Sequence, residues 1–182
     1  DNFVHASVSY GEATPTMFEI VNTETGAFSG ALEAENGVNY ELGSKGGLLK
    51  NKLRYDASIY QFNLSNAILA VDDIHYHNAG ATTQKGAEAI LQAIVYENEA
   101  KIISLLELSF SGALNDYRFD EYVKEDTIQT GNYLPGTPLH TAGASLRVKS
   151  KTGFSLFIDH KWYDKTTLDD ENEDWVNSYN IL

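Results

Sequence analysis

The stretch Asn51–Asn63, with the sequence NKLRYDASIYQFN, alternates between apolar and polar residues. Its apolar positions are Leu53, Tyr55, Ala57 and Ile59, and the positions between and after them are Arg54, Asp56, Ser58 and Tyr60. Successive side chains of a β-strand point to opposite faces of the sheet. The period of two therefore predicts a strand with one apolar face and one more polar face.

The same alternation recurs along the chain. Its apolar positions are Val4, Ala6, Val8 and Tyr10, then Val38, Tyr40 and Leu42, then Ala142, Ala144, Leu146 and Val148, and finally Phe154, Leu156 and Ile158. Phe157 interrupts the last series. Aromatic residues make up 12% of the chain and only three prolines occur, a composition that favours strands. These patterns predict an all-β protein.

The stretch Gly86–Phe110 has two interpretations. Helix-forming residues dominate its start, so Gly86–Tyr96 and Lys101–Leu108 can be read as two helical arms. The alternative is a hairpin that turns at Glu97–Ala100. The outward positions of this hairpin would be Ala87, Ala89, Leu91, Ala93 and Val95 on one strand and Ile102, Ser104, Leu106, Leu108, Phe110 and Leu114 on the other. Helix propensity and periodicity are compatible with both interpretations.

The connections between the predicted strands alternate between short and long. The short connections are Lys45–Asn51, Glu97–Ala100 and Ser150–Gly153, and the long ones are Gly11–Gly37, Asn66–Lys85, Phe119–Leu139 and Lys165–Asn177. Every second connection of an antiparallel meander lies at the same end of the sheet. Short turns at one end and long loops at the other are typical of outer-membrane barrels, whose long loops are extracellular.

Composition excludes several classes of protein. The formal net charge of −13 argues against a nucleic-acid partner, which requires clustered Lys and Arg. The absence of cysteine excludes disulfides and zinc–thiolate sites. The opening residues do not predict a signal peptide, and the sequence contains no apolar stretch of about 18 residues that would form a membrane helix.

Several short segments, taken in order, resemble the C-terminal half of the β-barrel of TonB-dependent outer-membrane receptors. These segments are Ser9–Gly11 with Thr14–Thr16 and Glu19, Glu33–Gly46 (EAENGVNYELGSKG), Asn51–Asn63, Thr83–Glu88 (TQKGAE), Leu134–His140 (LPGTPLH) and Asp169–Leu182. Each phrase is degenerate, and their order and spacing over nearly the whole chain carry the resemblance. It implies an antiparallel up-and-down meander of about eight strands, part of a transmembrane β-barrel. It also favours the hairpin for Gly86–Phe110.

The resemblance implies a receptor and transporter in the bacterial outer membrane. Such a protein takes up a siderophore, a vitamin or an oligosaccharide, and a TonB complex supplies the energy through a plug domain. The implied partners are this TonB complex, a small nutrient such as an iron chelate, and outer-membrane lipid. No enzymatic activity and no cofactor are expected.

The resemblance also implies that residues 1–182 are a single fragment of the barrel domain. Family barrels have about 22 strands around a plugged lumen. We therefore expect the plug domain and the last strands to be absent from this sequence.

Candidate site residues fall into two groups. Asp73, His75 and His77 would share one side of a strand at a loop and could hold an iron chelate, although a solvated polar loop explains them as well. Residues predicted to face the lumen are Arg54, Asp56, Glu88, Arg147 and Asp159. A catalytic carboxylate pair of Asp56 and Glu88 is a weak alternative, because nothing in the sequence predicts a perturbed pKa. No catalytic or metal site is expected.

Four aromatic residues admit two interpretations. Trp162, Tyr163, Trp175 and Tyr179 are predicted to form an extracellular aromatic belt, although packing inside a soluble sheet explains them too. Two wider alternatives also remain open. One is a complete eight-stranded outer-membrane barrel, and the other is a soluble β-sandwich that binds a ligand.

Overall fold

The computed structural model describes residues 2–21, 32–70, 76–78, 80–124 and 127–182. Within these ranges there is one short helix, α1 (Met17–Ile20), and the rest of the regular structure is strand. The strands are β1 (Asn2–Ala13), β2 (Glu35–Leu48), β3 (Leu53–Ser65), β4 (Ile68–Ala70), β5 (Tyr76–Asn78), β6 (Ala81–Glu97), β7 (Ile103–Glu121), β8 (Val123–Lys124), β9 (Thr127–Ile128), β10 (His140–Ser150), β11 (Ser155–Tyr163), β12 (Thr166–Thr167), β13 (Trp175–Val176) and β14 (Tyr179–Ile181).

Eight strands form one antiparallel sheet in the order β1-β2-β3-β6-β7-β10-β11-β14. Each strand pairs with the next large strand along the chain, so the predicted up-and-down meander is confirmed. The ambiguous stretch Gly86–Phe110 is the β6–β7 hairpin, as the resemblance implied. Two of its predicted outward residues lie outside the regular ladder. Val95 falls at a bulge between Ile94 and Tyr96, and Ile102 precedes β7.

The strand register separates the side chains onto two faces. One row across the sheet consists of Ala6, Leu42, Ile59, Ala87 and Leu114, and the row next to it consists of His5, Gly43, Ser58, Glu88 and Ala113. We call the face of the first row the apolar face and that of the second row the polar face. Large side chains on the apolar face are exposed, with Val4 at 72%, Val8 at 71% and Leu114 at 58%. This face therefore lacks a protein partner within the described residues.

The connections alternate as predicted. Residues 49–52, 98–102 and 151–154 form short turns, whereas residues 14–34, 66–80, 122–139 and 164–178 form long connections. All short turns consequently lie at one end of the sheet and all long loops lie at the other. Three of the long loops contain small hairpins, formed by β4 with β5, β8 with β9 and β12 with β13.

The described strands form an open sheet. β1 and β14 are its two edges and do not pair with each other, which argues against a complete eight-stranded barrel. No second large sheet packs against it in the described ranges, which argues against a sandwich. Among the described residues, the buried apolar ones are Ala67, Phe119 and Tyr122. They lie at the long-loop end rather than in the middle of the sheet.

Within the described ranges, no helix has both the length and the apolar character needed to cross a bilayer.

Candidate functional site

A concave patch on the polar face is the first candidate surface. It encloses about 450 Å³ and spans β1 to β10 across the sheet. We call it the wall patch, and its polar lining consists of His5, Glu41, Lys45, Asp56, Ser58, Glu88, Ser111 and Thr141. The patch therefore gathers charged and hydroxyl side chains from six strands on one face of the sheet.

Two carboxylates of the wall patch lack a strong cationic partner. The Glu41 Oε1 atom lies 3.1 Å from His5 Nε2, and Glu88 accepts a hydrogen bond of 3.3 Å from the Ser58 hydroxyl. Among the described residues, neither Glu forms an ion pair with Lys or Arg. The His5 ring also lies over Gly43, where a Cβ would be only 2.3 Å away. The glycine thus lets His5 reach Glu41.

Two ion pairs lie on the polar face nearer the short turns. Arg147 Nη1 lies 3.6 Å from Glu107 Oε1, and Lys161 Nζ lies 3.7 Å from Asp159 Oδ2. The Arg147 guanidinium also lies 5.7 Å from the ring centre of Phe157. The carboxylates of these pairs therefore have a Lys or Arg partner, unlike Glu41 and Glu88 in the wall patch.

The five residues predicted to face the lumen share the polar face. The register connects Arg54 through β6 and β7 to the row of Asp159, and it places Arg147 one row further toward the short turns. Asp56 and Glu88 lie inside the wall patch, whereas the other three lie below it.

Most of the predicted loop site falls outside the residues that the structure describes. Asp73 and His75 are outside the described residues, and His77 contributes its backbone to β5. Within the described ranges, no group of three or more His, Cys, Asp or Glu side chains is arranged to hold a metal ion.

A tyrosine pair lies above the wall patch, toward the long loops. The Tyr60 and Tyr117 hydroxyls are 2.5 Å apart, and Tyr60 also donates to Asn115 Oδ1 at 3.3 Å. Asn115 in turn donates from its side chain to the Pro138 carbonyl at 2.8 Å. The Tyr60 ring covers Gly86, where a Cβ would be 2.3 Å from the ring. This network ties the polar face to the 122–139 loop.

Residues 122–139 and 164–178 dock onto each other, and we call this pair of loops the loop cap. Asn172 Oδ1 accepts from the Tyr133 backbone N–H at 2.7 Å, and Asn172 Nδ2 donates to the Tyr133 carbonyl at 2.9 Å. The Gly136 N–H donates to the Thr167 carbonyl at 3.0 Å. The Tyr133 and Trp175 rings also meet edge to face at 6.2 Å. The two loops therefore form one packed unit.

The interior of the loop cap contains buried polar side chains, and most of their polar atoms are hydrogen-bonded, with Gln129 Nε2 as an exception. Thr167 is 1% exposed and Gln129 is 2% exposed. The Thr167 hydroxyl contacts the Asp169 carbonyl at 3.0 Å, and the Asp169 carboxylate accepts from the N–H groups of Glu173 and Asp174. The acidic run that starts at Asp169 is thus a structured turn.

The predicted aromatic belt is only partly formed. Trp162 lies in the row of Ala142 and Gly112 on the apolar face. Tyr163 and Tyr179 instead belong to the row of Thr141 on the polar face, where their rings stack at 4.9 Å. The belt interpretation is therefore wrong for these two tyrosines, because the strict alternation of side chains places them opposite Trp162.

Sequence reasoning missed two kinds of residue. Glu41, His5 and Lys45 belong to the wall patch, and the alternation of Glu41 with Tyr40 and Leu42 could have identified it. Asn172 holds the loop cap, but it lies 39 residues from its partner Tyr133 and no local pattern marks it.

The fold matches solved siderophore receptors and an iron transporter. The siderophore receptor PiuA from Acinetobacter baumannii aligns with 98% of this chain at 18% identity and a TM-score of 0.72. The ferric yersiniabactin uptake receptor FyuA from Yersinia pestis aligns with 99% at 19% identity and a TM-score of 0.75. The FrpB iron transporter from Neisseria meningitidis aligns with 97% at 15% identity and a TM-score of 0.67. The aligned regions are 26%, 26% and 28% of those chains, so this chain spans about a quarter of their length.

A family comparison agrees with the fold. Among curated protein sequences, none matches the chain significantly. The family model described as TonB dependent receptor-like, beta-barrel, matches residues 1–182. The chain therefore belongs to the β-barrel family of TonB-dependent receptors.

Proposed function

We propose that the protein containing this chain is a receptor and transporter in the bacterial outer membrane that takes up a scarce nutrient. The observation that carries this proposal is the arrangement of the sheet. One face is apolar and exposed, the other carries a patch of charged and hydroxyl side chains, and the long connections lie at one end. A sheet of this kind suits lipid outside, water inside and ligand-binding loops above the membrane.

An iron chelate of the siderophore type is the proposed nutrient. The three solved proteins named above carry siderophore, ferric or iron in their names, which supports this class. A further solved structure of similar fold is the RagAB peptide transporter, so the fold alone does not select the ligand. Asp73, His75 and His77 are proposed to contact the chelate from the 66–80 loop, because imidazole and carboxylate groups can ligate iron.

The chain is proposed to supply part of the barrel wall, while other segments of the protein supply the plug and the remaining strands. The share of the solved receptors that the chain spans supports this division. Energy from the TonB complex would reach the ligand through the plug. Membership of the TonB-dependent receptor family supports this route.

The wall patch is the proposed contact surface for the plug. Glu41 and Glu88 are acceptor-only carboxylates without a Lys or Arg partner in the described part of the chain. A charged hydrogen bond from a basic plug residue would satisfy them, and such bonds are stronger than neutral ones. The polar face nearer the short turns attracts a basic plug residue less, because Arg147 and Asp159 already have partners.

The test uses the whole protein in its native membranes. Outer-membrane fractions are run on a gel in mild detergent with and without boiling, and uptake of radiolabelled ferric siderophores is measured in cells with and without TonB. We expect a mobility shift on boiling and uptake that requires TonB. An aqueous protein without a shift would refute the barrel, whereas a shift without TonB-dependent uptake would refute only the transport function.

A further inference from the structure

A groove of about 480 Å³ lies on the apolar face, near the long-loop end. We call it the rim groove, and its lining includes Lys85, Ala87, Leu114, Arg118, Tyr133 and His140. Lys85 and Ala87 on β6, and Leu114 and Arg118 on β7, share the parity of the apolar face. The groove thus opens to the outside of the sheet and is separate from the wall patch.

The rim groove spans the upper limit of the apolar band. The row that contains Ile59, Ala87 and Leu114 is apolar from β1 to β7, and Leu114 is 58% exposed. On β10 this row ends at His140. The next row toward the long loops reads Val8, Tyr40, Gln61, Lys85 and Asp116. On β3, β6 and β7 the outer surface therefore changes from apolar to polar or charged within one row. In a barrel, this level is the boundary between acyl chains and headgroups.

Arg118 is held in place at the top of the groove. Its Nε donates to Asp116 at 2.6 Å, Nη1 donates to the Gly131 carbonyl at 2.8 Å, and Nη2 donates to the Tyr133 hydroxyl at 2.6 Å. The guanidinium carbon also lies 4.1 Å from the centre of the Tyr133 ring. A side chain fixed in this way loses little further freedom when it binds a ligand.

The groove carries positive charge in an acidic chain. Lys85 is exposed and forms no ion pair with any described residue. Asp116 offsets one of the two cations, Lys85 and Arg118, and the His140 ring lies 2.6 Å from the Asp164 carboxylate. With His140 neutral, the lining has a net charge of +1 from Lys85, Arg118 and Asp116, whereas the whole chain carries −13.

We propose that the rim groove binds the phosphorylated headgroup of a lipid in the outer leaflet. Lys85 would bind the phosphate, the guanidinium of Arg118 would add positive charge beside it, and Ala87 and Leu114 would contact the first methylenes of an acyl chain. A free anion gains nothing from the apolar floor, and nucleic acid is repelled by the charge of the chain. The inference rests on the proposed function for its membrane orientation.

The experiment uses the whole protein, purified in detergent and depleted of lipid. Native mass spectrometry measures retention of lipid A, which carries phosphates, and of the same lipid with its phosphates removed. Lys85→Glu is compared with Lys151→Glu, which reverses a matched charge in the short turn at the opposite end. We expect Lys85→Glu to lower lipid A retention about tenfold and Lys151→Glu to leave it unchanged.

Three results would overturn the lipid site. They are equal retention by the Lys85→Glu variant, equal retention of the dephosphorylated lipid, and displacement of lipid A by inorganic phosphate alone at millimolar concentration. The mobility shift on boiling is recorded on the same preparations. If the protein shifts on boiling but does not select for phosphate, the rim site is refuted and the barrel stands. If it does not shift, both are refuted.

Discussion

The sheet and the loop cap differ in how far their large apolar side chains are exposed. The sheet holds eight strands, yet apolar side chains such as Val8 and Ile59 are 71% and 57% exposed. The loop cap has less regular structure, yet its Tyr122 is 3% exposed and its ring lies 4.6 Å from that of Phe119, which is equally buried at the end of β7. The cap thus has a small core of its own, although Ile128 and Leu168 are exposed. The sheet has its apolar groups outside.

The difference indicates where each region finds its stability. The backbone of the sheet is satisfied by its ladders, as a bilayer requires, but its apolar surface needs an external apolar phase. The cap covers its own core and satisfies its polar groups with side chains such as Asn172. We therefore expect the sheet to depend on lipid and on further barrel strands, and the cap to depend on its own contacts.

The largest expected effect comes from a charge placed on the apolar face. Leu91 is 40% exposed in the row of Tyr55 and Phe110, and its neighbour Ile90 is 48% exposed on the polar face opposite Asp56. We expect Leu91→Arg to cost about 2–4 kcal/mol of folding free energy in a bilayer. Ile90→Arg is the matched control and should cost far less, because Asp56 and water can solvate it.

Urea titration of the whole protein folded into lipid vesicles measures both variants. Equal losses for Leu91→Arg and Ile90→Arg would mean that the two faces meet the same environment, and the comparison would fail.

A smaller effect is expected in the cap. Asn172→Ala removes both bonds to the Tyr133 backbone and leaves its N–H and carbonyl unsatisfied. We expect a local loss of about 1–3 kcal/mol, seen as faster hydrogen exchange in both loops. The barrel's mobility shift on boiling should persist. Glu173→Ala, in the same turn, is the control.

If exchange quickens only around residue 172 and not around Tyr133, the two loops are independent and the cap is not one unit. If the mobility shift also disappears, the sheet depends on the cap and the distinction between the two regions is lost.

The smallest effect concerns pH. The hydrogen bond from His140, together with the Lys165 backbone N–H, holds the pKa of Asp164 below its ordinary value of 3.8. A lowered pKa in the folded state means that the contact stabilises the cap fully above pH 3.8. This contribution is lost as the pH falls through the lowered pKa.

Limited proteolysis of the 164–178 loop should therefore accelerate below about pH 4. Asp164→Asn should be cleaved faster at neutral pH and should respond less to acid. An identical acid response in this variant would assign the sensitivity to another group.

Sequence patterns predicted the sheet better than the cap for a physical reason. Alternation within Leu53–Tyr60 reports the two faces of a strand locally, and loop lengths report the two ends of the meander. The contacts of the cap join residues far apart, such as Tyr133 and Asn172, which no local period can reveal. Trp162 and Tyr163 show a second limit. Their aromatic character alone predicts a belt, but they are consecutive residues of one strand and therefore point to opposite faces.

The residues of the candidate site are likewise only partly predictable from the sequence. The register places Asp56 and Glu88 in one patch, and alternation alone suggested their common face. Whether Glu41 completes that patch depended on pairing β2 with β3, which the sequence does not specify. The contribution of Asp73 and His75 stays a prediction.

The most direct test of the central claim is a labelling scan along β6. The chain has no cysteine, so a single cysteine can be introduced at each position from Ala87 to Ala93 and spin-labelled in the whole protein in vesicles. We expect oxygen accessibility to peak at residues 87, 89, 91 and 93, and accessibility to a water-soluble nickel chelate to peak at residues 88, 90 and 92. Uniform accessibility to the nickel chelate, or no period of two, would contradict the account of a strand with lipid on one face and water on the other.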